Sequence, residues 1–188
     1  HRAVLVHRSG HAHAHALDHI PGQGALFHLG ADGVHHITEQ MAAMVLQTGR
    51  NGPLFYQIAC GLEQVIDYIE NLHFDEEDIH YLRNLKIFDE DFLSYLHDFH
   101  FSGDIYAVPE GSLIFPREPL VKVVAPIMEA QLIETAVLNI INHQSLIATK
   151  AARVCYAAKG DGVMEFGLRR AQGPDSGTYG ARAAVIGG

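Results

Sequence analysis

The sequence predicts an α/β protein in which an α+β portion leads into a single βα unit. Apolar residues first recur at helical spacing, in one strong repeat at residues 61–72 and in two acid-started segments after it. Between Phe101 and Ala125 the pattern then changes to short β-type runs punctuated by proline and glycine. A long apolar stretch from Ile127 follows, and beyond it comes a short apolar run, two arginines, a glycine-rich turn and a last helix-compatible segment.

Residues 1–54 stand apart. Nine of the fourteen histidines fall in the first 36 positions, scattered among alanine, glycine and single charges, and this pattern supports neither helix nor strand. In extended form His11, His13 and His15 would share one face and bind a transition metal. No carboxylate or cysteine completes such a site, so the metal reading is the weaker one and no metal ligands are assigned.

The regular pattern begins at Gly61. Leu62, Val65, Ile66, Ile69 and Leu72 form one face of an amphipathic helix, with Glu63, Asp67 and Glu70 opposite. Asp75 is expected to cap a short helix whose first turn carries Glu76, Glu77 and Asp78, where the helix dipole favours negative charge. Asp89 repeats the device ahead of Phe92, Leu93, Leu96 and Phe99. Capping explains these carboxylates better than a metal site does, and His73, His80, His97 and His100 among them read as surface groups.

Residues 105–108, 112–115 and 120–124 read as three short antiparallel strands. Pro126 suits a helix start. The run from Ile127 to Ala158 is apolar nearly all round, with Leu132, Ile133, Val137, Ile140, Ile141, Leu146 and Ile147, which predicts burial on several sides. Asn139, Asn142, His143, Gln144, Thr149 and Lys150 then need partners. Lys150 and Arg153 are candidates to approach a phosphate, although cations suit the later half of any helix.

Residues 159–162 read as a loop and Val163–Phe166, between Gly162 and Gly167, as a buried strand. Arg169 and Arg170 close it, Gly173-Pro-Asp-Ser-Gly177 is a turn, and a helix runs from Thr178 to Ile186. Guanidinium forks beside the free N–H groups of a helix start suit an anion. In an α/β barrel, the carboxyl end of a strand is also where the active site lies. The alternative is internal pairing of the arginines with Glu165, Asp175 or Glu129, and on residue types alone the two readings stand level.

The net charge of −9 and pI near 5.8 argue against nucleic acid or an anionic membrane as the main partner. Cys60 and Cys155, the only cysteines, read as buried free thiols of a reducing compartment. With no membrane-length apolar run and no signal-peptide order at the start, a cytoplasmic location is expected.

The segment Glu165-Phe-Gly-Leu-Arg-Arg-Ala-Gln-Gly-Pro-Asp175 resembles the signature of the nicotinate phosphoribosyltransferases. Cys60–Leu72, Phe101–Gly111, Glu129–Asn142 and Ala148–Arg153 are similar to other landmarks of that family and come in its order. The resemblance runs from about Ala59 to Gly188. It implies an α+β N-terminal domain with a long linking helix at 55–158, then the start, at 159–188, of a truncated type II phosphoribosyltransferase α/β barrel. No family likeness is read in the residues before Ala59, where the tyrosine motif of the family is missing, and residues 1–54 are expected to be foreign sequence.

The resemblance implies conversion of nicotinate and 5-phosphoribosyl 1-diphosphate to nicotinate mononucleotide and diphosphate in NAD biosynthesis, with ATP hydrolysis, Mg²⁺ and a homodimer. It assigns substrate and phosphate binding to Arg169, Arg170, Phe166, Gly173, Asp175 and Gly177, and leaves open which arginine meets phosphate and which carboxylate. Phe166 is read either as a ring face for the pyridine or as core. The catalytic histidine is expected beyond the C-terminus, so the chain by itself is expected to be inactive. A nicotinamide or quinolinate phosphoribosyltransferase, or a non-catalytic assembly or ligand-binding module, are the alternatives.

Overall fold

The computed structural model describes residues 56–115 and 118–188, together with the backbone of strands β1 (Ala3–Val6), β2 (His13–His15) and β3 (Ile37–Thr38). These strands correct the expectation that the first 54 residues support no strand. Ala3–Val6 is an apolar run, and it pairs antiparallel with β5 (Asp104–Ala107), placing Leu5 opposite Tyr106. β5 in turn pairs with β7 (Val121–Val124), giving a five-stranded sheet in the order β2-β1-β5-β7-β3. His13 and His15 lie on β2, and His11 lies outside the described residues. Among the described residues no group of three His, Cys, Asp or Glu side chains could hold a metal ion.

The three strands expected between residues 105 and 124 all form, but they do not make one ladder. β6 (Leu113–Ile114) leaves the sheet and pairs antiparallel with β4 (Gln57–Ile58). The pairing continues past β4, since Ala59 N–H donates to Ser112 O at 2.9 Å and Gly111 N–H to Ala59 O at 2.8 Å. Backbone groups of the 57–59 segment need partners, and residues 111–114 supply and receive them.

The helices follow their local signals. α1 (Leu62–Asn71) buries Leu62, Val65 and Ile69, one stripe at helical spacing. α2 (Glu76–Leu85) starts with a capping box: Asp75 accepts from the N–H groups of Glu77 and Asp78 at 2.8 and 2.9 Å, and Asp78 accepts from Asp75 N–H. α3 (Glu90–His97) starts the same way, with Asp89 accepting from Phe92 N–H at 2.8 Å. α2 and α3 close over Ile79, Leu93 and Leu96, and Phe74 meets Phe99 edge-on at 5.8 Å.

α4 (Ile127–Ala158) is the spine, 32 residues long and so about 48 Å from end to end. Its buried positions are 129, 130, 133, 137, 141, 144, 145, 148 and 149, a single stripe rather than the several sides expected from its composition. Leu146, Val154 and Tyr156 are exposed. The stripe changes character along its length. Ala130, Ile133, Val137 and Ile141 join α1 and the inward residues Ile105, Ala107, Val121 and Val123 of the sheet in the main core. The cross-strand pairs Ile105↔Val123 and Ala107↔Val121 put these four on one face.

Farther along, the same stripe becomes polar, and there it meets β4. Thr149 Oγ1 accepts from Ile58 N–H at 2.9 Å and donates to Ser145 O at 2.6 Å. Ser145 Oγ accepts from Cys60 N–H at 3.1 Å and donates to Cys60 O at 3.0 Å. α5 (Pro174–Gly187) packs on this end of α4, where Ile58, Cys60, Ala148 and Ala183 form a second core cluster. Both cysteines are free; Cys60 is buried, and Cys155, expected buried, is half-buried on a helix face only partly covered. Among the described residues no helix is long and apolar enough to cross a membrane.

Thr149→Val keeps the shape of a buried side chain but leaves Ile58 N–H without its acceptor. The expected loss is about 1–3 kcal/mol of unfolding free energy, the cost of an orphaned buried donor. Urea denaturation of the variant beside the parent chain measures it, and a loss within experimental error would mean that α4 does not hold β4 by its hydroxyls.

Candidate functional site

The segment carrying the arginines differs from expectation. Residues 162–167 form no strand, and Val163, Met164 and Phe166 are exposed, Phe166 at 73%. An apolar run becomes a strand only when a neighbouring backbone pairs with it, and among the described residues none lies beside this one. The chain leaves α4 through Lys159 and Gly160, both with positive φ, and then runs without regular structure to a one-turn 3-10 helix at Leu168–Arg170. That turn is closed by Arg170 N–H to Gly167 O at 2.8 Å and Ala171 N–H to Leu168 O at 3.1 Å.

Arg169 and Arg170 sit on this turn with exposed side chains, and among the described residues neither makes an ion pair. The internal pairing weighed from sequence is therefore not formed. Glu165 accepts instead from Gly167 N–H. Glu129 is buried and accepts from Ser102, from N–H at 2.7 Å and from Oγ at 2.9 Å. Asp175 is exposed in the first turn of α5.

The expected turn at 173–177 is largely helix, because Pro174 fits the first helical position and α5 starts there. Gly173 precedes it at φ +100, a conformation that a side chain would strain. No side chain caps α5. Its leading N–H groups are therefore not taken by a cap, and two guanidinium groups lie a few residues upstream. Gly177 is buried where α5 meets the turn, and a Cβ there would stand 2.3 Å from Leu168 Cδ1. His143 of α4 meets Ser176 of this first turn, Nε2 to Oγ 3.1 Å. Lys150 is exposed, and the Arg153 guanidinium lies 5.7 Å over the Tyr56 ring. Among the described residues no hydrogen bond or ion pair joins either of them to the Arg169–Arg170 turn.

Behind α5 lies a cluster that sequence reasoning missed. Arg182 forks onto Glu110, Nη1 to Oε1 at 3.0 Å and Nη2 to Oε2 at 2.6 Å, and its Nη2 also meets Glu63. Arg182 Nη1 reaches Gln144 Oε1 at 3.3 Å, and Gln144 Nε2 donates to Gln64 Oε1 at 2.6 Å. Glu110 Oε1 further accepts from the N–H groups of Gly61 and Leu62, at 2.5 and 3.0 Å, and so caps α1 from across the fold. Gly61 is left-handed, and a Cβ added to it would meet the α4 backbone at Ile140, so neither a side chain nor a local cap fits there.

Burial alone would push the Glu110 carboxyl up, but the hydrogen bonds from Arg182 and Gly61 outweigh it and hold the carboxyl below the usual range. The Glu110 hydrogen bond raises Arg182 well above its ordinary value, so it stays charged. Burial, with the Glu110 charge added, pushes the Cys60 thiol up to about 11, which leaves it protonated and a poor nucleophile. Arg182 and Glu110 are separated by 72 residues, and nothing in the pattern around either one announces the other.

Residues 33–142 match the family model of the nicotinate phosphoribosyltransferase N-terminal domain. The match begins upstream of Ala59, so family likeness reaches into the segment that the sequence set apart as foreign. The chain is 50% identical over 133 residues to nicotinate phosphoribosyltransferase pncB2 of Mycobacterium tuberculosis, covering 71% of this chain and 29% of that protein. It is 49% identical over 133 residues to the nicotinate phosphoribosyltransferase of Bacillus subtilis, covering 71% of this chain and 27% of that one. Its fold is similar to the crystal structure of human nicotinic acid phosphoribosyltransferase, with a TM-score of 0.65 at 34% identity, over 71% of this chain and 27% of the human chain. The chain thus spans under a third of the length of the curated relatives it matches.

The Glu110 carboxyl is lowered on folding, so its contribution to stability is present above the unfolded carboxylate pKa and is lost as pH falls through the folded one. Glu110→Gln is expected to destabilise the chain at neutral pH by about 3 kcal/mol, because Arg182, its side chain 27% exposed, loses its better-buried partner. The variant should also lose part of the acid sensitivity of the parent. Unfolding midpoints across the carboxylate range measure both effects, and parallel acid profiles for the two proteins would contradict the assignment.

Proposed function

The chain belongs to the nicotinate phosphoribosyltransferase family, and from that membership we propose that it is the N-terminal portion of an enzyme transferring the phosphoribosyl group of 5-phosphoribosyl 1-diphosphate to nicotinate. The C1–N bond to the pyridine nitrogen forms, the C1–O bond breaks, and its electron pair leaves on diphosphate. ATP hydrolysis is coupled to this step in the whole protein, which acts as a cytoplasmic homodimer in NAD biosynthesis.

One observation carries the reading for this stretch of chain: two exposed guanidinium groups, unpaired among the described residues, stand just ahead of a helix N-terminus that no side chain caps. Positive charge and free N–H groups together suit a phosphorylated sugar, and most of the catalysis in such a transfer is positioning and electrostatics. Arg169 and Arg170 hold diphosphate or the nicotinate carboxylate, and the N–H groups of Asp175 and Ser176 hold phosphate oxygens, since Pro174 has no N–H and that of Gly177 already donates to Gly173 O. Phe166, with its ring open to solvent, offers a face to the pyridine.

Mg²⁺ neutralises diphosphate charge when bound. Asp175, exposed in the first turn of α5, is the carboxylate on this stretch that would help hold the ion. The catalytic histidine lies outside these 188 residues, and the chain alone does not turn over.

Titration of the 188-residue chain with phosphoribosyl diphosphate, followed by amide NMR, is expected to shift the signals of residues 169–173 and 175–177. Arg169→Ala and Arg170→Ala should each weaken binding by roughly tenfold or more, as the loss of a charge-assisted hydrogen bond implies. Signals that stay put at saturating ligand, or measurable turnover by the chain alone, would overturn the proposal.

A further inference from the structure

The contact between α4 and α5 is unusually smooth. α5 turns Gly177, Gly180, Ala183 and Gly187 inward, with Gly177 against Leu168 and Ala171 and the other three toward α4. A Cβ added at Gly180 would stand 3.3 Å from Ile147 Cδ1, and one at Gly187 would stand 2.2 Å from Ala148 O. Few side chains here are large enough to interlock, Ile147 and Ile186 being the main ones, so polar contacts carry a large share in fixing the rotation of α5 on α4. Two polar pins supply what the small residues do not. One is the bond between His143 and Ser176; the other, farther along α5, is the fork of Arg182 on Glu110.

The second pin has the firmer anchor. Glu110 is fixed by two backbone N–H groups at the start of α1, its side chain is 19% exposed, and both of its oxygens are engaged by one planar guanidinium. Arg182 cannot change direction without breaking a bidentate pair, and α5 cannot roll without moving Arg182. We infer that Arg182 is a positioning residue: held by Glu110 and Glu63, it sets the direction in which the N-terminal amides of α5 and the Arg169–Arg170 turn face their anion. This rests on the anion site proposed above and adds to it a residue that does not touch the ligand.

The test is inorganic diphosphate affinity of the 188-residue chain, by titration calorimetry, in five proteins. These are the parent, Arg182→Gln, Arg182→Lys, Glu110→Gln and Leu96→Ala, the last a core truncation between α2 and α3, away from α5. Arg182→Gln should weaken binding by roughly tenfold, the scale of one hydrogen bond to the anion lost through misalignment. Arg182→Lys keeps the charge but not the fork and should fall in between. It also serves if the Gln variant fails to fold.

Glu110→Gln decides between positioning and simple charge. It removes a negative charge behind the site, so long-range electrostatics would tighten diphosphate, whereas loss of the clamp weakens it. Weaker binding in Glu110→Gln, with Leu96→Ala destabilised yet binding as the parent does, is the expected result. Parent-like or tighter binding in the Arg182 and Glu110 variants would overturn the inference while leaving the anion site intact. A parent chain that binds no diphosphate would instead remove the site itself, and the inference with it.

Discussion

A carboxylate placed beside a helix start that has no local cap must be supplied with partners, and this one condition ties the described part of the chain together. Glu110 sits in the loop ahead of β6, caps α1 through the N–H groups of Gly61 and Leu62, and receives both arms of Arg182 from α5. Gly61 is the residue that makes the arrangement necessary. Its left-handed conformation and its closeness to the α4 backbone exclude a capping side chain, so the capping oxygen has to come from elsewhere. Three segments far apart in sequence meet at one carboxyl group. Glu63, whose side chain is 75% exposed, adds a contact of little energetic weight.

The helices were legible in the sequence because their causes are local. Asp75 and Asp89 cap within three residues, and the stripe of α1 repeats within a turn, so a short window holds everything needed. The bounds of α4 were readable from Pro126 at one end and the loop after Ala158 at the other. What α4 touches was not readable. Its apolar composition pointed to burial on several sides, while its actual buried face is one stripe that turns from aliphatic to hydroxyl-bearing where β4 crosses it. Gln144 and Thr149 were flagged as polar residues in need of partners; Thr149 meets Ser145 within one turn, but Gln64 and the Ile58 N–H, which Gln144 and Thr149 also engage, lie 80 and 91 residues away, beyond any periodicity argument.

Strand signals fared less well for the same physical reason. A strand is a relation between two backbones, and the sequence shows only one of them at a time. Residues 163–166 have strand composition and no pairing strand among the described residues, so they form no strand and stay exposed. The Leu113–Ile114 strand has the expected conformation but pairs with Gln57–Ile58, which was not read as a strand. At the candidate site the arginines were legible as chemistry, since two adjacent guanidinium groups before a glycine-rich helix start form a local pattern. The clamp behind them was not, because Arg182 looks like a single cation on a helix of small residues until the fold brings Glu110 to it.

The hydroxyls of α4 also have a colloidal consequence. A strand at the margin of a two-stranded ribbon normally shows its outward N–H groups to solvent, where another molecule's extended backbone can dock on them and seed self-association. On β4 and the residue pair that follows it, the N–H groups of Ile58 and Cys60 are already taken by Thr149 and Ser145, at 2.9 and 3.1 Å. Two short side chains on a helix thus act as a sealed selvedge, and at those two positions the ribbon has no open donor to recruit a stray strand.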